Sequence, residues 1–156
     1  MVRFSALGLG SLVALTQAAP LEKRQVTCAT GNGLYILVAR GSNQPVGEGT
    51  VGPVANLVEA QVAGSYSHAI DYPATIIALD SNYVTSVVDG IEDTKQSIED
   101  YVAACGPNSR IALIGYSQGG NVMTDTLAGG TGKPAPIAEQ YRQNSKSGLS
   151  RLECYS

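Results

Sequence analysis

The stretch "RIALIGYSQGGNVM", Arg110 to Met123, decides the reading of this chain. Five residues, Ile111 to Gly115, are apolar or small without interruption, as in a strand buried on both faces. The run stops at Gly-Tyr-Ser-Gln-Gly-Gly. Apolar spacing then resumes at Val122 and Met123 with the period of a helix. A strand that turns sharply into a helix through a serine flanked by glycines fits the G-x-S-x-G nucleophile elbow, Gly115 to Gly119. Such a turn holds the Ser117 hydroxyl out over the sheet. It also leaves the Gln118 N–H at a helix N-terminus, where it can stabilise negative charge. The plainer alternative is a glycine-rich turn with an incidental serine.

The same pattern of elements recurs upstream. "LYILVAR", Leu34 to Arg40, reads as a second buried strand, followed by the loop "GSNQPVGEGT". "VGPVANLVEAQVAG" places Val54, Leu57, Val58, Gln61 and Val62 at helical spacing. "HAIDYPATI" reads as a short strand broken by Pro73. "SNYVTSVVDGIEDTKQSIEDYVAAC" carries Val84, Val87, Val88, Ile91, Ile98, Tyr101 and Val102 on one helical face, with Ser81 or Asn82 as its cap. Strand and helix alternate three times. That order predicts an α/β fold, a three-layer sandwich with a parallel sheet between helices. Ligands of such sheets bind at the carboxyl ends of the strands. "ARGSNQ" and "GYSQGG" both fall there. Ser42 is therefore placed to offer a second oxyanion donor, or else to satisfy its own turn.

Composition narrows the function class. Of 156 residues, 44% are hydrophobic and 15% charged, with a formal net charge of -3. This suits one globular domain with a core. No basic cluster exists, so nucleic acid is excluded as a partner. Residues 1–18 read as a secretory signal peptide, too short to span a membrane. Residues 19–24 read as a propeptide ending at Lys23-Arg24, unless that pair is an ordinary solvated charge pair. A secreted, extracellular chain makes its three cysteines candidates for disulfides. Cys28 and Cys105 each precede a strand. In a parallel sheet both lie at the same end, so they pair, and Cys154 is left over.

The motifs "Ala39-Arg40-Gly41-Ser42", "Asp71-Tyr72-Pro73-Ala74-Thr75", "Cys105-Gly106-Pro107" and "Ile114-Gly115-Tyr116-Ser117-Gln118-Gly119-Gly120" resemble those of the fungal cutinase family, which includes acetylxylan esterases. The resemblance covers Cys28 to Gly130. It implies a lidless α/β-hydrolase and a secreted serine esterase. It implies Ser117 as nucleophile, Ser42 and Gln118 as oxyanion-hole residues, and a Cys28–Cys105 disulfide. It implies an ester substrate, cutin-type polyester or acetylated polysaccharide, and no metal or cofactor; the chain, if folded, is expected to be a monomer with no membrane partner.

The family pattern also needs an acid and then a histidine after the serine. After Ser117 the acids are Asp125, Glu139 and Glu153, and no histidine follows. His68, in "SYSHAI", is the sole histidine and stands before the serine. It reads as a loop histidine just before the second strand. Residues 25–130 are thus expected to form a partial esterase domain, incomplete at its C-terminal end. Residues 131–156 are expected to be an atypical tail. That tail holds four of the ten Lys/Arg residues and no strand-like run to cover the outer edge of "IALIGY". An uncovered edge of this kind predicts poor folding and lost activity. A non-catalytic secreted protein that keeps the groove for binding is the alternative.

Overall fold

A computed structural model describes residues 25–76, 82–143 and 153–155. The signal peptide, the propeptide and the Ser81 cap lie outside them. The sheet has four parallel strands in the order β2-β1-β3-β4: β1 Tyr35–Ala39, β2 Tyr66–Ala69, β3 Ile111–Gly115 and β4 Glu153–Tyr155. The helices are α1 Gly52–Gln61, α2 Tyr83–Cys105, α3 Gln118–Ala128 and α4 Glu139–Gln143, with a 3₁₀ turn at Gly49–Val51 before α1.

Side chains alternate across a strand, so β1 and β3 feed two cores. Tyr35, Leu37, Ala39, Ile111 and Leu113 face one side with Val87, Ile91 and Ile98 of α2 and Val122 and Met123 of α3. Ile36, Val38, Ala112 and Ile114 face the other side with Ala55, Val51 and Val58. Both central strands are buried at every position, which is why both read as unbroken apolar runs. The expected α/β layering with a parallel sheet is the architecture found.

Three expectations need correction. Val54 and Leu57 do not face the core; they are 46% and 61% exposed, and the small residue Ala55 carries the contact of α1. Apolar spacing alone cannot choose between adjacent helical faces. The second strand ends at Ala69, because the chain then turns away from the ladder through Pro73 and a positive φ at Ala74. His68 therefore sits inside β2, paired with Leu37, and not in a loop before it.

The tail, third, does contribute to the fold. Ile137 is buried in the first core, and its N–H donates to Thr126 O at 2.8 Å. Glu153, Cys154 and Tyr155 pair with Ala112, Leu113 and Ile114, so these residues of the β3 edge are covered. Parallel pairing is made by backbone groups, so a three-residue strand leaves no apolar signature. Among the described residues, no helix is long and apolar enough to cross a membrane.

Cys28 and Cys105 are joined by a disulfide across a sequence separation of 77. The link ties the segment before β1 to the end of α2. On the chain-entropy account such a closure contributes about 4 kcal/mol. Reduction should therefore lower the urea midpoint by the equivalent of that amount. An unchanged midpoint after complete reduction, verified by thiol counting, would contradict it.

Candidate active site

β1 leads to α1 on one face of the sheet, and β3 leads to α3 on the other. The carboxyl ends of these adjacent strands thus form a switch point, where open α/β sheets bind ligands. Ala39 and Gly115 are the last pair, and the Tyr116 N–H donates to Ala39 O at 3.2 Å. Beyond that pair the two loops run side by side.

Ser117 is the residue between β3 and α3. It has φ 54° and ψ −115° and is exposed. This backbone is unfavourable for a residue with a side chain, and it persists only where its surroundings enforce it. Two close approaches enforce it here. A Cβ on Gly115 would lie 2.3 Å from Gly119 O, and one on Gly119 would lie 2.1 Å from Ala39 O. The first turn of α3 is pressed onto the end of β1, so only glycine fits at either position. Gln118 is the first residue of α3. Its N–H is among the four that a helix cannot satisfy internally.

The loop after β1 is held by its own side chains. The Gln44 carboxamide oxygen accepts from the N–H groups of Gly41 and Thr50, at 3.0 and 3.1 Å. Its Nε2 donates to Thr50 Oγ1 at 2.9 Å. Ser42 lies within this loop and is half-buried. The next residue, Asn43, has φ 58° and donates its N–H to Ala74 O at 2.7 Å.

Arg40 was not singled out from the sequence. It is only 3% exposed. Its guanidinium donates to the carbonyls of Tyr72, Ile70 and Gln44 and stands 5.0 Å from the centre of the Tyr72 ring. The Tyr72 hydroxyl donates back to Arg40 O. These contacts clamp the loop after β1 to the loop after β2. A lone arginine ending an otherwise apolar strand was the available signal, since a buried charge must find several acceptors.

Burial pushes the Tyr72 phenol up to about 12, with the Arg40 charge acting in the opposite direction and Tyr83 adding to the rise. Burial, then Tyr101, likewise lifts Tyr66 to about 12. A pKa raised on folding gives stability that is complete below the ordinary value of 10.0 and lost as pH rises through 12. The unfolding midpoint should therefore fall between pH 10 and 12. Tyr72→Phe should start from a lower plateau and fall less over that window. An equal fall in both proteins would remove Tyr72 as a cause.

His68 is not brought to Ser117. It pairs with Leu37, which pairs with Leu113. Ser117 is four residues further along, roughly 13 Å at about 3.3 Å per residue, and two strands away. The His68 ring lies 6.1 Å from that of Tyr35 and borders a cavity of about 100 Å³ with Gln25, Tyr66, Ser97 and Asp100. Among the described residues, no group of three His, Cys, Asp or Glu could hold a metal.

A profile of the cutinase family matches residues 28–148. The chain is 33% identical to acetylxylan esterase 2 of Talaromyces purpureogenus over 81% of its own length and 52% of that protein. It is 33% identical to cutinase 11 of Verticillium dahliae over 75% of its length and 39% of that protein. The solved catalytic core domain of acetyl xylan esterase from Trichoderma reesei superposes with a TM-score of 0.62 at 27% identity, covering 71% of this chain and 58% of that one. The chain spans about half the length, or less, of the two named curated relatives. Profile, sequence relatives and solved fold agree with one another, and the chain belongs to the cutinase family.

Proposed function

We propose that this protein is a secreted carboxylic-ester hydrolase acting through Ser117, with the N–H groups of Ser42 and Gln118 as its oxyanion hole. The observation that carries the reading is the backbone of Ser117. Its φ of 54° and ψ of −115°, with exposure, are what a strand must adopt to present a serine over its own carboxyl edge. In the reaction Ser117 Oγ bonds to the ester carbonyl carbon, and the carbonyl oxygen takes the negative charge. The C–O bond to the alcohol then breaks, and the alcohol leaves with the proton that the Ser117 hydroxyl gave up. Water releases the acyl group by the same steps. The substrate is a cutin-type polyester or an acetylated polysaccharide, in keeping with relatives named cutinase and acetylxylan esterase. The enzyme works as a monomer without metal or cofactor.

The position of His68, far from Ser117, favours a second reading for these 156 residues by themselves: an ester-binding protein without turnover. A fluorophosphonate probe distinguishes the two. Under the first reading it labels Ser117 slowly, over hours at pH 9, and labels nothing in Ser117→Ala. Peptide mapping that finds no label on Ser117 after a day would overturn the nucleophile.

A further inference from the structure

Among the described residues, three that are not glycine have a positive φ: Asn43, Ala74 and Ser117. They come from three different loops, yet one set of hydrogen bonds joins Asn43, Ala74 and Gln118, the residue after Ser117. Asn43 donates its N–H to Ala74 O at 2.7 Å. The next residue, Thr75, donates its N–H to Ser86 Oγ at 3.3 Å. Ser86 Oγ lies 3.1 Å from Gln118 Oε1. Gln118 Nε2 donates to Thr75 O at 3.0 Å. Thr75, Ser86 and Gln118 thus form a closed ring.

The ring has one consistent assignment of hydrogens. Thr75 O can only accept, so it faces the Gln118 amide nitrogen, and Gln118 Oε1 is the amide atom turned to Ser86. The Ser86 hydroxyl accepts from Thr75 N–H and gives its single hydrogen to that oxygen. Ser86 and Gln118 are 1% exposed, so each of these bonds, once broken, leaves a polar group with no water to turn to. The ring therefore fixes the Gln118 side chain, and with it the first peptide of α3. Through Ala74 the same segment fixes Asn43, the neighbour of Ser42.

We propose that Ala74–Thr75 is a brace that sets the distance between the N–H groups of Ser42 and Gln118, with Ser86 and the Gln118 carboxamide as its positioning residues. This rests on the reading of those two N–H groups as the oxyanion hole. Neither Ser86 nor the Gln118 side chain needs to touch substrate. Asn43 is bonded to Ala74 directly, and the neighbours Thr75 and Gln118 link Ala74 to Ser117, so the surroundings that keep these strained backbones in place are shared. Donors misplaced by a fraction of an ångström lose much of their value to a developing oxyanion.

The test uses the full chain and two variants, Ser86→Ala and Gln118→Met, with two readouts. The first is the rate of fluorophosphonate labelling of Ser117. The second is amide hydrogen exchange at Asn43, which bonds to neither altered side chain. Each variant should slow labelling about tenfold or more and speed Asn43 exchange about tenfold. The double variant should add little, because a ring is broken only once. Faster Asn43 exchange with an unchanged labelling rate would overturn the positioning role. Should the unaltered chain label no better than Ser117→Ala, the reading of Ser117 fails by itself. The exchange data then still judge the brace. Unchanged exchange at Asn43 in both variants overturns it whatever the labelling shows.

Discussion

A chain of these 156 residues should hydrolyse p-nitrophenyl butyrate on the order of 10⁶-fold more slowly than the same chain extended by a segment that brings an aspartate and a histidine to Ser117. The size follows from how a serine is activated. Its hydroxyl is a poor nucleophile until a base takes the proton as the C–O bond forms. In hydrolases whose groups act as a unit, losing the base forfeits nearly all of their joint effect, and the oxyanion donors sustain only the remainder. The one histidine of the sequence is His68, in β2 beside the middle of β1 and two strands away from Ser117. Steady-state hydrolysis by the two chains, each with a Ser117→Ala control, checks this. Equal turnover in both would mean that another group serves as base.

Replacing Gly119 by alanine should be among the most damaging single changes, with a loss of about 3 kcal/mol or more. The added Cβ would meet Ala39 O at 2.1 Å, Ala39 C at 2.6 Å and Arg40 O at 2.8 Å. All three are backbone atoms, so no side chain can rotate out of the way. To relieve the clash α3 must lift from β1, which opens the core at Val122 and Met123. A domain of this kind has only about 5–15 kcal/mol in hand. Gly120→Ala is the control, because the nearest atom to its Cβ would be Gly115 O at 3.8 Å. Urea unfolding of the two variants should separate them by more than 2 kcal/mol. Similar midpoints would show that α3 is not seated as described.

Much of the fold was legible in the chain because its central strands are buried on both faces. Ile36 to Ala39 and Ile111 to Ile114 could be apolar at every position only in such a place. The Cys28–Cys105 bridge was legible for a related reason, since two parallel strands put the residues that precede them at one end. The elbow was legible because its two glycines answer contacts within the motif and with the neighbouring strand.

What the sequence left open shares a single cause: the deciding contacts are between backbone groups or between residues distant in the chain. β4 is held by ladder bonds that any residue other than proline can make, so "ECY" carried no mark of a strand. Val54 and Leu57 had helical spacing, but only the packed sheet decided that the small Ala55 faces inward. Arg40 reads as a surface charge until the carbonyls of Ile70 and Tyr72 are seen around it. Ser86 and Thr75 have no local signature, because their partner Gln118 is 32 and 43 residues away. By itself the sequence determined the layers, the bridge and the serine at the turn, all of which follow from period, burial and local sterics. Only the tertiary structure decided what holds that serine and its neighbours in strained backbones, since a buried polar group takes its partners from whichever loops the fold brings beside it.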